Sequence, residues 1–385
     1  MRYARAAFAL SLLYGAYWAF RLAWADYLFA SGDPVKMRRA ALLAPWNAGY
    51  QLRIGNLRRA LDLNPYLSPA WMELGIEAES QGNFAEAERC LLQAAAVDQT
   101  FEPRWTLANF YFRRQRADAF WKWLQLAAAR SYGDRSAIFR LAWRMTDKPG
   151  EILDRGLTRD VGMLAAYLTF LLAEGKLDAA IEESAALLPQ ATVNERDLLL
   201  GFCEKLIAAE RRDAAVSTWN GLIARNLIPY GPLDVEGGIS LTNRTLAIPP
   251  LGQCFDWRML WRANIHSAWS PGQRQIRVTL TGKQEEHTEL VAQIVPIVAE
   301  AAYRFRYRYR TEGLGKDSGV HWRVGTGAPG VSLSNPEWRE EVLTFHSPSR
   351  LIRIALTYDR APGTVRQEGT VVLDGAFALE RMQPR

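Results

Sequence analysis

Ala70–Phe110 reads AWMELGIEAESQGNFAEAERCLLQAAAVDQTFEPRWTLANF. Trp71, Leu74 and Ala78 fall at i, i+3 and i+7, on one face of a helix. Gly82 and Asn83 break that helix and turn the chain. A second helix then carries Phe84, Ala87, Leu91 and Ala94 inward, and Gly75 and Ala87 are small enough for the two helices to approach closely. Trp71 recurs as Trp105, 34 residues on, and Phe139 stands 34 residues beyond that. One hairpin cannot bury its own apolar face, so this spacing predicts an array of hairpins stacked on one another.

The stretch resembles the tetratricopeptide repeat, whose period is about 34 residues. Trp71, Leu74, Gly75, Gly82, Phe84, Ala87, Ala94 and the upstream Pro65 match its pattern. In the next unit Asn109 replaces the small glycine and Arg116 the turn glycine. Upstream, Asp33-Pro34 opens a helix in the cap-then-proline manner. APWNAGYQLRIGNL (44–57) then looks like a shortened unit. In the aromatic-rich segment 120–130, Trp121 and Leu124 suit a core and Trp123 a groove. The pattern returns at 167–188, with Gly175 at the turn, and at 206–226; Ala180 and Ala215 stand 35 residues apart. Residues 33–230 are therefore expected to form an α-solenoid whose concave face takes a protein partner, with the contacting residues unassigned.

Hydrophobic residues make up 49% of the 385, which excludes global disorder. The net charge of +6 is spread along the chain, so no nucleic-acid partner is expected. Cys90, Cys203 and Cys254 are far apart and form no zinc spacing. Cys90 reads as a small buried hydrophobe. No metal and no cofactor is expected.

MRYAR is basic, and Ala6–Phe20 is an uncharged run of 15 residues ended by Arg21. That length suits a signal-peptide core, and Ala23-Trp24-Ala25 supplies a cleavage pattern before Asp26. Alternatively Arg21 snorkels, LAWADYLFA continues the helix, and residues 6–30 hold an uncleaved anchor with Tyr17, Trp18 and Trp24 at the interface. Both readings export the rest of the chain, to the periplasmic side of a bacterial membrane, anchored or released after Ala25. Residues 1–32 are assigned to this segment, with the anchor preferred; a buried first helix of the solenoid is the third reading.

IPYGPLDVEGG (228–238) reads as a linker, and beyond it the helical period gives way to alternation. Strands are expected at 255–262, 275–280, 290–298, 303–310, 319–325, 340–345, 351–358 and 370–379, separated by turns at Ser270, Gly282, Gly313–Gly315, Ala328 and Ala361. Residues 231–385 should thus form an antiparallel β-sandwich, a jelly roll, giving an α + β multidomain chain. CFDWR (254–258), YRFRYRYRTEGL (303–314), SGVHWRV (318–324) and VVLDGAFALER (371–381) resemble the jelly-roll carbohydrate-binding modules of bacterial glycan-active proteins. Where those modules often open with an Asn-Gly-x-Phe-Glu strand, this chain has LTNRTL (241–246), although Asp374 is kept.

Tyr303–Arg310 alternates aromatic and arginine at every position. On a strand this sets Arg304, Arg306, Arg308 and Arg310 in a ladder on one face. The ladder either binds an acidic polysaccharide, since guanidinium forks pair with carboxylates, or is a solvated face neutralised by Glu340, Glu341 or Glu300. Arg277, Arg323 and Arg353 are placed to widen it. Trp257 and Trp322 alternate as core residues do, whereas Trp269 and Trp338 are taken to stack on sugar rings. All four histidines lie in this half without metal-ligand spacing. GTGAPG (325–330) lacks the following helix that a phosphate site needs.

No nucleophile, zinc or nucleotide motif is present, so the chain is read as non-enzymatic. The combination of export segment, degenerate hairpins and terminal jelly roll resembles proteins encoded with bacterial exopolysaccharide export systems. That resemblance implies a scaffold or adaptor. The alternatives are a glycan-acting hydrolase or lyase, whose carboxylates need leave no local signature, and a purely structural sandwich capping the solenoid.

Overall fold

The computed structural model describes every residue except 1, 263, 361 and 383–385, so the turn expected at Ala361 lies outside the described residues. Fourteen α-helices among the described residues precede an antiparallel β-sandwich. They are α1 (Arg2–Ala30), α2 (Pro34–Leu43), α3 (Ala48–Arg53), α4 (Leu57–Leu63), α5 (Ser68–Ser80), α6 (Phe84–Val97), α7 (Phe101–Arg113), α8 (Ala117–Ala128), α9 (Ser136–Met145), α10 (Pro149–Glu151, running into a π turn at Ile152–Gly156), α11 (Val161–Ala173), α12 (Leu177–Leu187), α13 (Arg196–Ala208) and α14 (Arg212–Ala224). Packing divides the chain inside α11, into residues 1–163 and 164–385.

In the first unit, the close approach expected at Gly75 is present. A Cβ there would lie 2.7 Å from the Leu91 side chain, so α5 and α6 touch almost backbone to side chain. The 34-residue period reappears as contacts between equivalent positions of α5 and α7. Arg113 forks onto Glu79 at 2.8 and 2.7 Å, and the Thr106 hydroxyl lies 3.7 Å from the Met72 sulfur. Asn83 caps α6 by accepting from the Glu86 amide, and Asp33 caps α2 by accepting from Val35 and Lys36. Trp121 and Leu124 are buried, and Gly156 of the π turn sits where a Cβ would meet the Trp121 ring at 2.8 Å.

Each of α1, α3, α5, α7, α11, α13 and α14 is followed, two residues past its end, by one residue in the left-handed region: Gly32, Gly55, Gly82, Gln115, Gly175, Glu210 and Asn226. This is the helix-ending conformation that glycine adopts without strain. The α7 turn falls on Gln115 and not on Arg116, because α7 ends at Arg113. The Arg116 amide instead bonds back to the Tyr111 carbonyl, and its guanidinium pairs with Glu88 at 2.9 Å. A left-handed non-glycine residue costs roughly 1–2 kcal/mol, part of which glycine returns as unfolded-state entropy. Gln115→Gly is therefore expected to stabilise the first unit by about 0.5–1 kcal/mol in chemical denaturation. A loss of stability there would show that the side chain holds the turn.

α1 is one unbroken helix of 29 residues, and Tyr3–Ala30 is long and apolar enough to cross a membrane. Its final turns are tied down: Ala25 and Leu28 are buried against Ala40, Ala41, Ala44 and Tyr50, and the Asp26 carboxylate accepts from the Tyr50 hydroxyl. Burial and that contact push the Tyr50 phenol up to about 12. The Arg21 guanidinium lies over the rings of Trp18 and Trp46, 4.8 and 5.8 Å from their centroids.

In the second unit the strands are β1 (Arg258–Met259), β2 (Ile265–Ser270), β3 (Gln275–Thr281), β4 (His287–Pro296), β5 (Ala301–Glu312), β6 (Val320–Val324), β7 (Arg339–Ser347), β8 (Leu351–Asp359), β9 (Glu368–Asp374) and β10 (Ala378–Arg381). One sheet runs β1-β4-β8-β6. The other runs β10-β5-β9-β3-β2, with β7 on the free edge of β5. From β3 to β9 each successive strand crosses to the opposite sheet, and all pairs are antiparallel, which is jelly-roll winding. The last expected strand, 370–379, is two: β9 and β10 lie end to end along β5, with the break at Gly375, where a Cβ would meet the Thr245 carbonyl at 2.1 Å. The core is aromatic. Trp257, Trp322, Phe305, Tyr307 and Phe377 pack together with ring centroids 4.6–6.2 Å apart.

α13 and α14 are joined to this sandwich. Glu204 pairs with Arg258 at 2.8 Å, Asp213 takes Arg350 through both oxygens at 2.8 Å, and Arg212 donates to the Ile297 carbonyl at 2.8 Å. Trp219 packs edge-on to Phe255. Asn220 bonds the Leu233 backbone through both its amide nitrogen and its oxygen.

Candidate functional site

The alternation of β5 is realised residue by residue. Tyr303, Phe305, Tyr307 and Tyr309 are buried in the core, and Arg304, Arg306, Arg308 and Arg310 project from the outer face of the larger sheet. Burial, aided by Glu341, pushes the Tyr307 phenol well above its ordinary value, so it stays protonated. Carboxylates meet three of the four guanidiniums, two of them from neighbouring strands and the third, through Glu312, from β5 itself. Arg306 lies 3.1 Å from Glu380 and 3.9 Å from Glu340, Arg308 3.1 Å from Asp374, and Arg310 3.0 Å from Glu312. Glu312 also takes Arg277 at 2.9 Å, and that contact holds its carboxyl below the usual range. Arg304 carries no ion pair among the described residues.

Trp338, just before β7, lies beside this ladder. The guanidiniums of Arg308 and Arg310 are 5.1 and 5.4 Å from its ring centroid. Trp338 and Arg310, with Gln273, Gln275, Pro336 and Glu337, line a shallow polar depression on the sheet surface. An aromatic ring flanked by amides and charges is the chemistry that meets a sugar, whose apolar ring face stacks while its hydroxyls take hydrogen bonds.

The other predicted residues lie elsewhere. Trp269 is in β2, its ring packed on the sandwich core and its indole N–H donated to the Leu246 carbonyl at 2.9 Å. Arg323 and Arg353 project from the outer face of the other sheet, paired with Asp359 at 3.0 Å and Glu289 at 2.5 Å. Asp359 gathers His287, His321, Arg323 and Thr357 around it. Although burial opposes it, this company keeps its carboxyl below the ordinary range, and burial lowers His321. The structure therefore brings together Arg304–Arg310, Arg277 and Trp338, and leaves Arg323, Arg353 and Trp269 apart from them.

Trp261 was passed over. It is 72% exposed and sits edge-on to His266 at 5.6 Å. Sequence reasoning placed it inside a strand spanning 255–262, whereas β1 is only two residues long and Trp261 follows it.

In the first unit, Ile76 on α5 and Trp105, Thr106 and Asn109 on α7 line an open groove with the Glu79–Arg113 pair at its side. Ile76 is half exposed.

No described protein family matches the chain by sequence, and no characterised protein matches it either. Solved structures do. One titled "CBM4 structure and function" covers 36% of this chain and 98% of its own, at 10% identity and a TM-score of 0.29. PilF of Pseudomonas aeruginosa covers 53% of this chain and 90% of its own, at 19% identity and 0.23. YrrB, described as a TPR protein with an unusual peptide-binding site, covers 53% and 84%, at 15% identity and 0.19. Similarity at this level leaves the architecture resting on strand pairing and helix register.

Proposed function

We propose that the chain is a non-enzymatic, membrane-anchored scaffold that holds a protein on its helical hairpins and a polysaccharide on its jelly roll. In this reading residues 1–32 anchor, 33–230 dock a partner protein, 231–385 hold glycan, and the setting is bacterial exopolysaccharide assembly or export on the periplasmic side. The observation that carries the glycan half is Trp338 lying beside Arg308 and Arg310 over a polar depression. The ion pairs of the ladder do not oppose an acidic ligand. They are exposed, and such pairs contribute only about 0–1 kcal/mol, so a sugar carboxylate can take the place of Glu312 or Glu380 at little cost. Arg304 is open to one directly.

The anchor is supported by α1 continuing without a break through Ala25, which is fully buried against the first hairpin. The protein-docking half is supported by the groove between α5 and α7.

The test is retention of the full chain in gels cast with a soluble polyuronate, compared with a neutral glucan. Arg306→Ala with Arg308→Ala should weaken polyuronate binding about tenfold, from roughly 0.7 kcal/mol per exposed contact. Trp338→Ala should weaken binding to both polymers. Unchanged polyuronate retention in the double variant removes the acidic-glycan site.

A structural role for the sandwich is favoured by a separate observation. The Glu204–Arg258 and Asp213–Arg350 pairs and the Trp219–Phe255 contact cover the last hairpin, as a capping element of a helical array must. Capping and glycan binding use different faces of the sandwich and are compatible.

A further inference from the structure

Leu200, Cys203 and Glu204 lie at i, i+3 and i+4 on α13 and face the loop before β1. The Cys254 thiol is 3.4 Å from the Leu200 carbonyl, and the Cys254 amide donates to the Glu204 carboxylate. Arg258 closes the contact, reaching Glu204 at 2.8 Å and the Cys254 carbonyl at 3.1 Å. Cys254 is itself held in the left-handed region, at φ 53°, which turns its side chain into the helix. Cys203 lies on the same helix face between Leu200 and Glu204, the two residues that hold Cys254; its thiol donates to the Ala215 carbonyl at 3.6 Å, with the Cys254 thiol beside it. Both sulfurs are buried, and both cysteines are thiols in this structure. Cys90 is in the other unit.

We propose that Cys203 and Cys254 are a disulfide pair, closed by an oxidised thiol–disulfide reagent as the chain folds, which staples α13 to the loop leading into the jelly roll. The chemistry is ordinary exchange. One cysteine thiolate attacks the oxidant's disulfide and expels one thiolate. The second then attacks the mixed disulfide and expels the other. Two cysteine thiols lose two electrons and two protons, and one disulfide of the oxidant becomes two thiols. Closure must accompany docking of α13. Once docked, the neighbouring Cys254 thiol and burial hold the Cys203 thiol well above its ordinary range, where little thiolate is available to react. Once closed, the bridge is buried and out of reach of an attacking thiolate, which is the behaviour of a structural bridge and not of a redox sensor. The staple covers the same contact that Glu204–Arg258 makes electrostatically, and its formation does not depend on the glycan reading.

The experiment refolds the full chain in detergent from denaturant, in a mixture of glutathione disulfide and glutathione. The product is denatured again and alkylated, before or after reduction. The expected result is a single alkylated cysteine, Cys90, before reduction and all three after it. The unreduced chain should be lighter by the mass of two hydrogens and should yield a linked peptide pair containing Cys203 and Cys254. Cys90→Ala should leave that linked pair intact. Three alkylated cysteines without reduction, or a linkage that includes Cys90, overturns the proposal. Cys203→Ser separates the pair from chance oxidation: it should leave Cys254 alkylated, and a Cys90–Cys254 link in this variant would again contradict the assignment.

Discussion

Trp322→Ala is expected to cost the jelly roll about 3–5 kcal/mol, a large share of the roughly 5–15 kcal/mol that ordinarily holds such a body folded, and so to lower its unfolding temperature by many degrees. The indole is fully buried on β6, at the centre of the aromatic cluster. Phe305 and Tyr307 from the opposite sheet reach it at 5.1 and 5.6 Å, Trp257 at 6.2 Å and Phe377 at 6.0 Å. Truncation removes the one ring that touches all four. The surrounding walls are strands fixed by backbone ladders, so the cavity cannot collapse cheaply. Thermal unfolding followed by near-ultraviolet circular dichroism should show the lower transition. Because α13 and α14 are bonded to the sandwich through Glu204, Arg212 and Asp213, their helical signal should be lost in the same step. Separate melting of those helices would contradict the description of 164–385 as one packed body.

The second large effect concerns α1. At about 1.5 Å per residue its apolar length exceeds the roughly 30 Å of a bilayer core. Ala9→Arg with Leu13→Arg puts two guanidiniums on one helix face, one turn apart, inside the uncharged run Ala6–Phe20. Each is expected to disfavour insertion by about 2.5–3.5 kcal/mol. Together they should move the chain from the membrane pellet to the supernatant after alkaline carbonate extraction. Both positions are exposed and far along the helix from Ala25 and Leu28, so the packing of α1 on α2 and α3 should be unaffected. A chain that stays in the pellet would show that α1 is not what holds it there.

The helical half was legible because its signal is periodic. Trp71 and Trp105, the small Gly75 and the turn at Gly82 each report a packing need, and the structure meets each of them. The repeat broke down where the turn residue ceased to be glycine. Gln115, Glu210 and Asn226 adopt the same left-handed geometry without advertising it. The strands were legible where alternation was strict, as on β5, and blurred elsewhere. β2 was missed because it is short and its buried Ser267 breaks the apolar pattern.

The pairing of the Arg ladder with Glu380 and Asp374 was not readable, because which carboxylate meets which guanidinium across strands depends on sheet order and register. The expected partners Glu341 and Glu300 lie beside Arg339 and His346 instead. For the same reason Arg323 and Arg353, neighbours of the ladder by strand count, fall on the other sheet: consecutive strands of a jelly roll alternate between its two layers.

Hydrogen exchange of the full chain in detergent, with and without a soluble polyuronate, locates the glycan surface on the sandwich. Added protection is expected in peptides covering 301–312 and 336–347, the strand of the Arg ladder and the segment carrying Trp338, with none at 320–324 or 351–359. Protection confined to those last two segments, or protection nowhere in the sandwich, would contradict the proposed glycan site.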